Sequence, residues 1–179
     1  MIQMQLILVT ETSKEANSDY MYIYSFVNHF FELGSDIKIT PVYMTGKGNF
    51  DSQTVLKKIK TEVRMYQKLF PEGLSKVIYC FDTDEIEKKP DDAIFDKKIT
   101  EFCKKRDFDL VFFCKDVEQV FLGRRAEQKE KKKLAESFYR KRQIKLIKID
   151  KFKSAIKKPG HSNLYSILSK YLKIKDDMH

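Results

Sequence analysis

Residues 75–87, SKVIYCFDTDEIE, decide how the rest of the chain is read. Val77, Ile78, Tyr79, Cys80 and Phe81 form an apolar run with β-branched and aromatic members. Pro71 and Gly73 bound the run in front and acidic residues bound it behind, so it reads as a buried strand and not as part of a helix. The chain then turns polar at Asp82-Thr83-Asp84-Glu85. In an open α/β sheet ligands gather at the carboxyl ends of the strands. Two carboxylates one residue apart, where a buried strand opens into a loop, can both reach a hard cation such as Mg²⁺. A lone D-x-D of this kind is also compatible with Asp82 capping a turn and Asp84 and Glu85 lying in solvent.

Working outward, the same pattern recurs. Gln3 to Thr10 predicts a first strand whose Leu6-Ile7-Leu8-Val9 run lacks polar alternation, as expected when both faces are covered. A helix over Asp19 to Phe31 carries Met21, Ile23, Tyr24, Val27, Phe30 and Phe31. Thr12 with Glu15 forms a capping box for it, or else Asn17, Ser18 or Asp19 starts it, and Gly34 closes it. Asp36 to Met44 predicts a second strand, with Pro41 placing it at a sheet edge or bulge. The loop Thr45-Gly46-Lys47-Gly48-Asn49 lacks the spacing of a phosphate-binding P-loop and reads as a flexible turn.

A helix over Asp51 to Phe70 has an apolar stripe of Val55, Ile59, Val63, Tyr66 and Phe70. Another runs from Pro90 to Arg106 with Ile94, Phe95, Ile99, Phe102 and Cys103 inward. Asp109 to Cys114 is a fourth buried strand, followed by Asp116 as an N-cap and Glu118 in the first turn of the next helix. Beyond Gly123 the composition changes. Arg124 to Arg142 is polar nearly all round, with a narrow seam of Leu134, Phe138 and Tyr139. Ile144 to Ile149 predicts a short fifth strand, residues 157–163 a turn, and Leu164, Ile167, Leu168, Tyr171 and Leu172 a last helix before a frayed end over 173–179.

Strands alternating with helices predict an α/β fold: a mostly parallel sheet of four to five strands, helices on both faces, and a basic helical C-terminal appendage. The 179 residues suit one domain, with a core over 1–123 and an extension over 124–179 packed on it. All parallel strands point their carboxyl ends to one edge. Glu11, Asp82, Asp84, Asp116 and Glu118 therefore meet on one rim, where their mutual repulsion is relieved by a divalent cation.

Charge is unevenly placed. Residues 1–123 carry 17 basic and 20 acidic side chains, whereas residues 124–179 carry 18 basic and 6 acidic. A basic third on an acid-bearing core predicts a polyanionic partner, nucleic acid before an anionic membrane. The candidate phosphate contacts are Arg124, Arg125, Lys129, Lys132, Lys133 and Arg140, with Phe138 or Tyr139 as stacking groups or as core seam. No apolar run approaches the ~20 residues of a membrane span, and the first residues lack the features of a secretory signal. Cys80, Cys103 and Cys114 have no C-x-x-C spacing and read as buried reduced thiols of a cytoplasmic protein. His29, His161 and His179 are too scattered for a histidine metal site.

A metal rim beside a basic flank points to phosphodiester chemistry. Mg²⁺ or Mn²⁺ would sit on Glu11, Asp82 and Asp84, with Asp116 beside them and Glu118 as a second metal ligand or general base. A glutamate after the first strand and a D-x-D ending the third resemble Toprim domains, the metal-dependent modules of topoisomerases, primases and OLD-type nucleases. The acid-bearing segment Lys115 to Phe121 and the pair Ser162-Asn163 make the chain most similar to small Toprim-like proteins of the RloB and abortive-infection type. That resemblance covers residues 4–122 best. It implies a Rossmann-like fold, Mg²⁺ at Glu11, Asp82 and Asp84, and nuclease action in phage defence; a partner ATPase stands beside nucleic acid as a candidate partner. Two positions depart from the family: Thr12 follows Glu11 in place of glycine, and Lys115-Asp116 replaces Asn-Pro.

Two other functions fit parts of the pattern. Strand-then-D-x-D also describes phosphatases of the haloacid-dehalogenase kind, although those carry it on the first strand. A non-catalytic nucleic-acid- or partner-binding protein needs the basic extension but not the acids. A lysine or arginine filling the gap between the rim carboxylates would favour that last function.

Overall fold

Fully apolar strands need cover on both sides, and the sheet supplies it. The computed structural model describes residues 3–176. Strands β1 (Met4–Thr10), β2 (Ile37–Tyr43), β3 (Leu74–Asp82) and β4 (Asp109–Phe113) form one parallel sheet in the order β2-β1-β3-β4. Six α-helices are present among the described residues: α1 (Ser18–Phe30), α2 (Gln53–Leu69), α3 (Pro90–Lys105), α4 (Val117–Leu122), α5 (Lys131–Arg140) and α6 (Leu164–Leu168). The fold is α/β with an all-parallel sheet, as the alternating pattern predicts, and Rossmann-like, as the resemblance implies.

Successive strand residues face opposite sides of the sheet, so each strand feeds two cores. Leu6, Leu8, Ile78, Cys80, Val111 and Phe113 pack with α1, α4, α5 and α6. Ile7, Val9, Val42, Val77, Tyr79 and Phe81 pack with α2 and α3. Phe121 of α4 ties the first core together, with ring centroids 5.1 Å from Tyr22, 5.6 Å from Phe138 and 4.9 Å from Phe152. The basic extension is therefore not a loose tail: Ala135, Phe138, Ile144, Phe152, Leu164 and Leu168 belong to that core. Cys80, Cys103 and Cys114 are free and buried.

Several local expectations are corrected. Residues 144–149 form no strand; two 3₁₀ turns, Gln143–Leu146 and Ile149–Phe152, lie there. The β4 edge that a fifth strand would occupy is instead met by a single bridge from Ser162 to Phe113. Beside it the Asn163 side chain accepts from Phe112 N at 2.9 Å and donates to Leu110 O at 2.9 Å, imitating a neighbouring strand. Within the basic stretch 124–142 of the expected helical appendage, only Lys131–Arg140 is α-helical. Of the two openings read for α1 the second holds: Asn17 is its N-cap, left-handed at φ 52°, and Thr12 with Glu15 forms no capping box. Gly34 does not close α1 either; the helix stops at Phe30 because Phe31 turns extended and bridges Ile174. Lys173 and Lys175 are also held there, since Glu32 N donates to Lys173 O and Lys175 N donates to Phe30 O. Residues 173–176 are thus docked, and 177–179, with His179, lie outside the described residues. Ile94 is 55% exposed and not on the buried face of α3. Pro41 sits, as expected, on the edge strand β2, where alternate N–H groups have no partner strand to serve.

Asn163→Ala should lower unfolding stability by about 2 kcal/mol, the cost of leaving a part-buried strand edge with two unmet groups. Asn163→Asp keeps the acceptor and should recover part of that loss, as urea denaturation would measure.

Candidate functional site

The strand order reverses between β1 and β3: β2 lies outside β1, and the chain then crosses to β3 on β1's other side. The carboxyl ends of these two central strands flank the crevice where ligands bind in sheets of this kind. Glu11 follows β1 and Asp82 ends β3. The Asp82 N–H donates to Glu11 Oε1 at 2.8 Å, while Asp82 Oδ1 accepts from Val117 N at 3.0 Å. Two acids 71 residues apart are thereby held side by side. The loops continue the pairing: Gly46 N donates to Glu11 O, Thr83 N to Phe113 O and Asp84 N to Lys115 O. Asp84 and Lys115 both adopt positive φ, at 52° and 70°.

The sequence pattern did not anticipate Asp19. It lies in the first turn of α1 and is buried. Burial, then repulsion from Glu118, pushes its carboxyl up to about 6, against the pull of Lys131. Glu11 is pushed up to about 8 by burial and by Asp19, opposed by the Asp82 N–H and by Lys47. Asp82 is raised well above the usual carboxylate range by burial, then by Glu11 and Asp19. Glu118 is wholly buried; its Oε1 has no hydrogen-bond partner and its Oε2 faces only the Lys131 ammonium, and burial raises its carboxyl despite Lys131. Glu11, Asp19, Asp82 and Glu118 thus form one electrostatically linked group.

The outer acids are arranged differently. Asp84 is ion-paired with Lys47, a residue of the 3₁₀ turn Lys47–Asn49 that stands 5.0 Å from the centre of the Phe95 ring. The Gly46-Lys47-Gly48 loop is therefore a supplier of charge to the rim and not a bystander. Asp116 caps α4 by accepting from Gln119 N at 2.7 Å, as the sequence predicts, and its other oxygen is 3.3 Å from Arg125. Arg125 also reaches Glu85 at 3.4 Å. Lys131 Nζ stands 3.1 Å from Glu118 Oε2; burial works against its charge, but Glu118 and Asp82 outweigh that and raise its pKa. Among the described residues no three His, Cys, Asp or Glu side chains converge closely enough, as placed, to hold one metal ion.

The donor chemistry nonetheless suits a hard cation. Every candidate ligand is a carboxylate, Glu118 Oε1 lacks any hydrogen-bond partner, and the inner acids raise one another's pKa. Lys47, Arg125 and Lys131 are the internal competitors for that role.

The basic set divides. Arg125 is engaged by the rim, Arg124 pairs with Glu130 at 3.0 Å and Lys129 with Glu127 at 2.9 Å. Lys132, Lys133 and Arg140 have no ion pair among the described residues. Phe138 is core, whereas Tyr139 is 53% exposed. No helix among the described residues is long and apolar enough to cross a membrane. Comparison with family models, with curated proteins and with solved structures finds no match.

Proposed function

We propose that this chain is a Toprim-like phosphodiesterase that cuts nucleic acid with Mg²⁺ or Mn²⁺, of the kind used in phage defence. The observation that carries it is the Glu11–Asp82 contact at the crevice between β1 and β3, set among acids whose mutual repulsion calls for a cation. Glu11 and Asp82 would hold the ion, joined by Asp84 once it leaves Lys47. A divalent cation there supplies Lewis acidity toward a phosphate oxygen and toward the attacking water. Asp19 and Glu118, both buried and with carboxyls raised from their ordinary range, would take or return a proton there. Lys47, displaced from Asp84, would remain within reach of a substrate phosphate.

A second function is favoured by one specific observation. Lys47, Arg125 and Lys131 already neutralise Asp84, Asp116 and Glu118. If these pairs persist when nucleic acid and metal are present, the chain is a binding protein built on a non-cutting site. A partner ATPase is the added component to try in either case.

The test incubates the protein with plasmid, single-stranded DNA and RNA, with Mg²⁺, Mn²⁺ or EDTA, beside Asp82→Asn. Metal-dependent cleavage lost in the variant supports the nuclease; binding without cleavage under every condition assigns the second function. Covalent capture of a phosphate analogue on Asp82 would instead identify a haloacid-dehalogenase-type phosphatase.

The unpaired Lys132 and Lys133 make a separate forecast. Each phosphate contact contributes roughly 0.7–0.9 to the slope of log affinity against log salt. Replacing both by alanine should therefore weaken nucleic-acid binding for all sequences alike and make that slope shallower by up to about two. An unchanged slope would remove the face of α5 that carries them from the interface.

A further inference from the structure

A second positively charged feature lies away from the rim. α1 and α5 both start at the carboxylates, with Asp19 and Lys131 in their first turns. Ten residues further along α1, at about 1.5 Å per residue, is roughly 15 Å away. There α1, the end of α5 and the following 3₁₀ turn enclose a cleft of about 500 Å³ lined by Asn28, His29, Tyr139, Arg140, Arg142 and Lys145. Its volume falls in the range of ordinary small-molecule sites, about 300–1,000 Å³.

The lining is unusual in charge. No carboxylate lines the cleft, and Arg140, Arg142 and Lys145 make no ion pair among the described residues. Lys175 adds a fourth cation at the margin, its Nζ donating to Asn28 O at 2.6 Å. On a convex helix face such cations would simply be solvated; in a concavity they repel one another and concentrate an anion. Arg142 is held in the left-handed region at φ 50°, a conformation that costs a non-glycine residue on the order of 1 kcal/mol or more and recurs at ligand sites. Tyr139 keeps an exposed ring in the cleft. Burial first, then Lys175 and Lys145, lower the pKa of His29, so at neutral pH its ring can both donate and accept.

We propose that this cleft is a nucleotide site, with Arg140, Arg142 and Lys145 on the phosphates and the Tyr139 ring against the base. An aromatic platform beside guanidinium groups suits a base joined to a phosphate, whereas inorganic phosphate alone would leave the ring unused. The nucleotide is either free or the phosphorylated end of a strand. The proposal does not rest on metal-dependent cleavage at the rim.

The test measures anisotropy of a fluorescent N-methylanthraniloyl-ATP with the full chain in EDTA. Saturable binding is expected, displaced by ATP and far less well by adenosine or by pyrophosphate alone. Arg140→Ala and Arg142→Ala should each weaken binding by about tenfold, the worth of a charge-assisted contact. Tyr139→Phe should bind as the parent does, while Tyr139→Ala should lose about tenfold. Thermal melts confirm that each variant is folded. A 5′-phosphorylated oligonucleotide that competes as well as ATP assigns the strand end; failure to compete assigns the free nucleotide. The proposal is overturned if no binding is seen at millimolar nucleotide, if folded Arg140 and Arg142 variants bind unchanged, or if Asp82→Asn abolishes binding and so places the ligand at the rim.

Discussion

Asp82→Asn should cut metal-dependent phosphodiester cleavage by at least about a hundredfold, the scale on which losing one preorganised charged contact acts, while raising thermal stability in EDTA at pH 8. The two effects have one cause. The amide oxygen can still accept from Val117 N, as Asp82 Oδ1 does at 3.0 Å, so β3 stays fastened to α4. What disappears is a half-buried carboxyl whose ionisation is opposed by desolvation first and then by Glu11 and Asp19. Removing it relieves the metal-free protein and deprives the crevice of a central ligand, the usual opposition between activity and stability at a functional site. Nuclease assays and melts on the same preparations give the answer. Retained cleavage would end the proposed role of Asp82. Loss of both activity and stability would make Asp82 a strut between β3 and α4 and nothing more.

The metal-free protein should also melt at a lower temperature at pH 8.5 than at pH 5.5, and divalent cation should reverse this at the alkaline end. Glu11 is raised from 4.5 to about 8 and Asp19 from 3.8 to about 6. Between roughly pH 4 and 8 the folded state therefore holds more protons than the unfolded chain, so stability falls as pH rises through that window. A cation that binds only the folded state adds about 2.7 kcal/mol at a hundred times its dissociation constant. For a chain of this size that corresponds to a rise of roughly 5–10 °C in Tm. At pH 5.5 protons compete for the same oxygens, so the rise should be smaller. Differential scanning fluorimetry across pH, with EDTA or Mg²⁺, measures both. A melting temperature flat from pH 5.5 to 8.5 and insensitive to Mg²⁺ and Mn²⁺ would remove the cation from the rim and leave Lys47, Arg125 and Lys131 as its permanent counter-charges.

The amino-acid order alone determined the sheet and its rim. Runs such as Leu6 to Val9 and Val77 to Phe81 have no polar alternation, which only a doubly covered parallel strand can use. Parallel strands then send Glu11, Asp82, Asp116 and Glu118 to one edge whatever the details. Pro41 marked the edge strand, and Asp116 marked the start of α4, because both act through their own backbone geometry.

Only the tertiary structure decided what neutralises that edge and how the last third folds. Lys47, Asp19 and Lys131 carry no motif; they matter because the loop after β2, the first turn of α1 and the first turn of α5 are brought to the same place. Ile144 to Ile149 is a short apolar run that reads as a strand, yet the β4 edge is met by Ser162 and the Asn163 amide, so that segment turns and packs on α1. A short run of Ile and Leu records only that some side chains are buried, whereas a strand also needs a free edge to pair with. Charge composition likewise announced a basic extension, but the division of its cations among the rim, the face of α5 and the far cleft is a matter of distances across the fold, which no local pattern encodes.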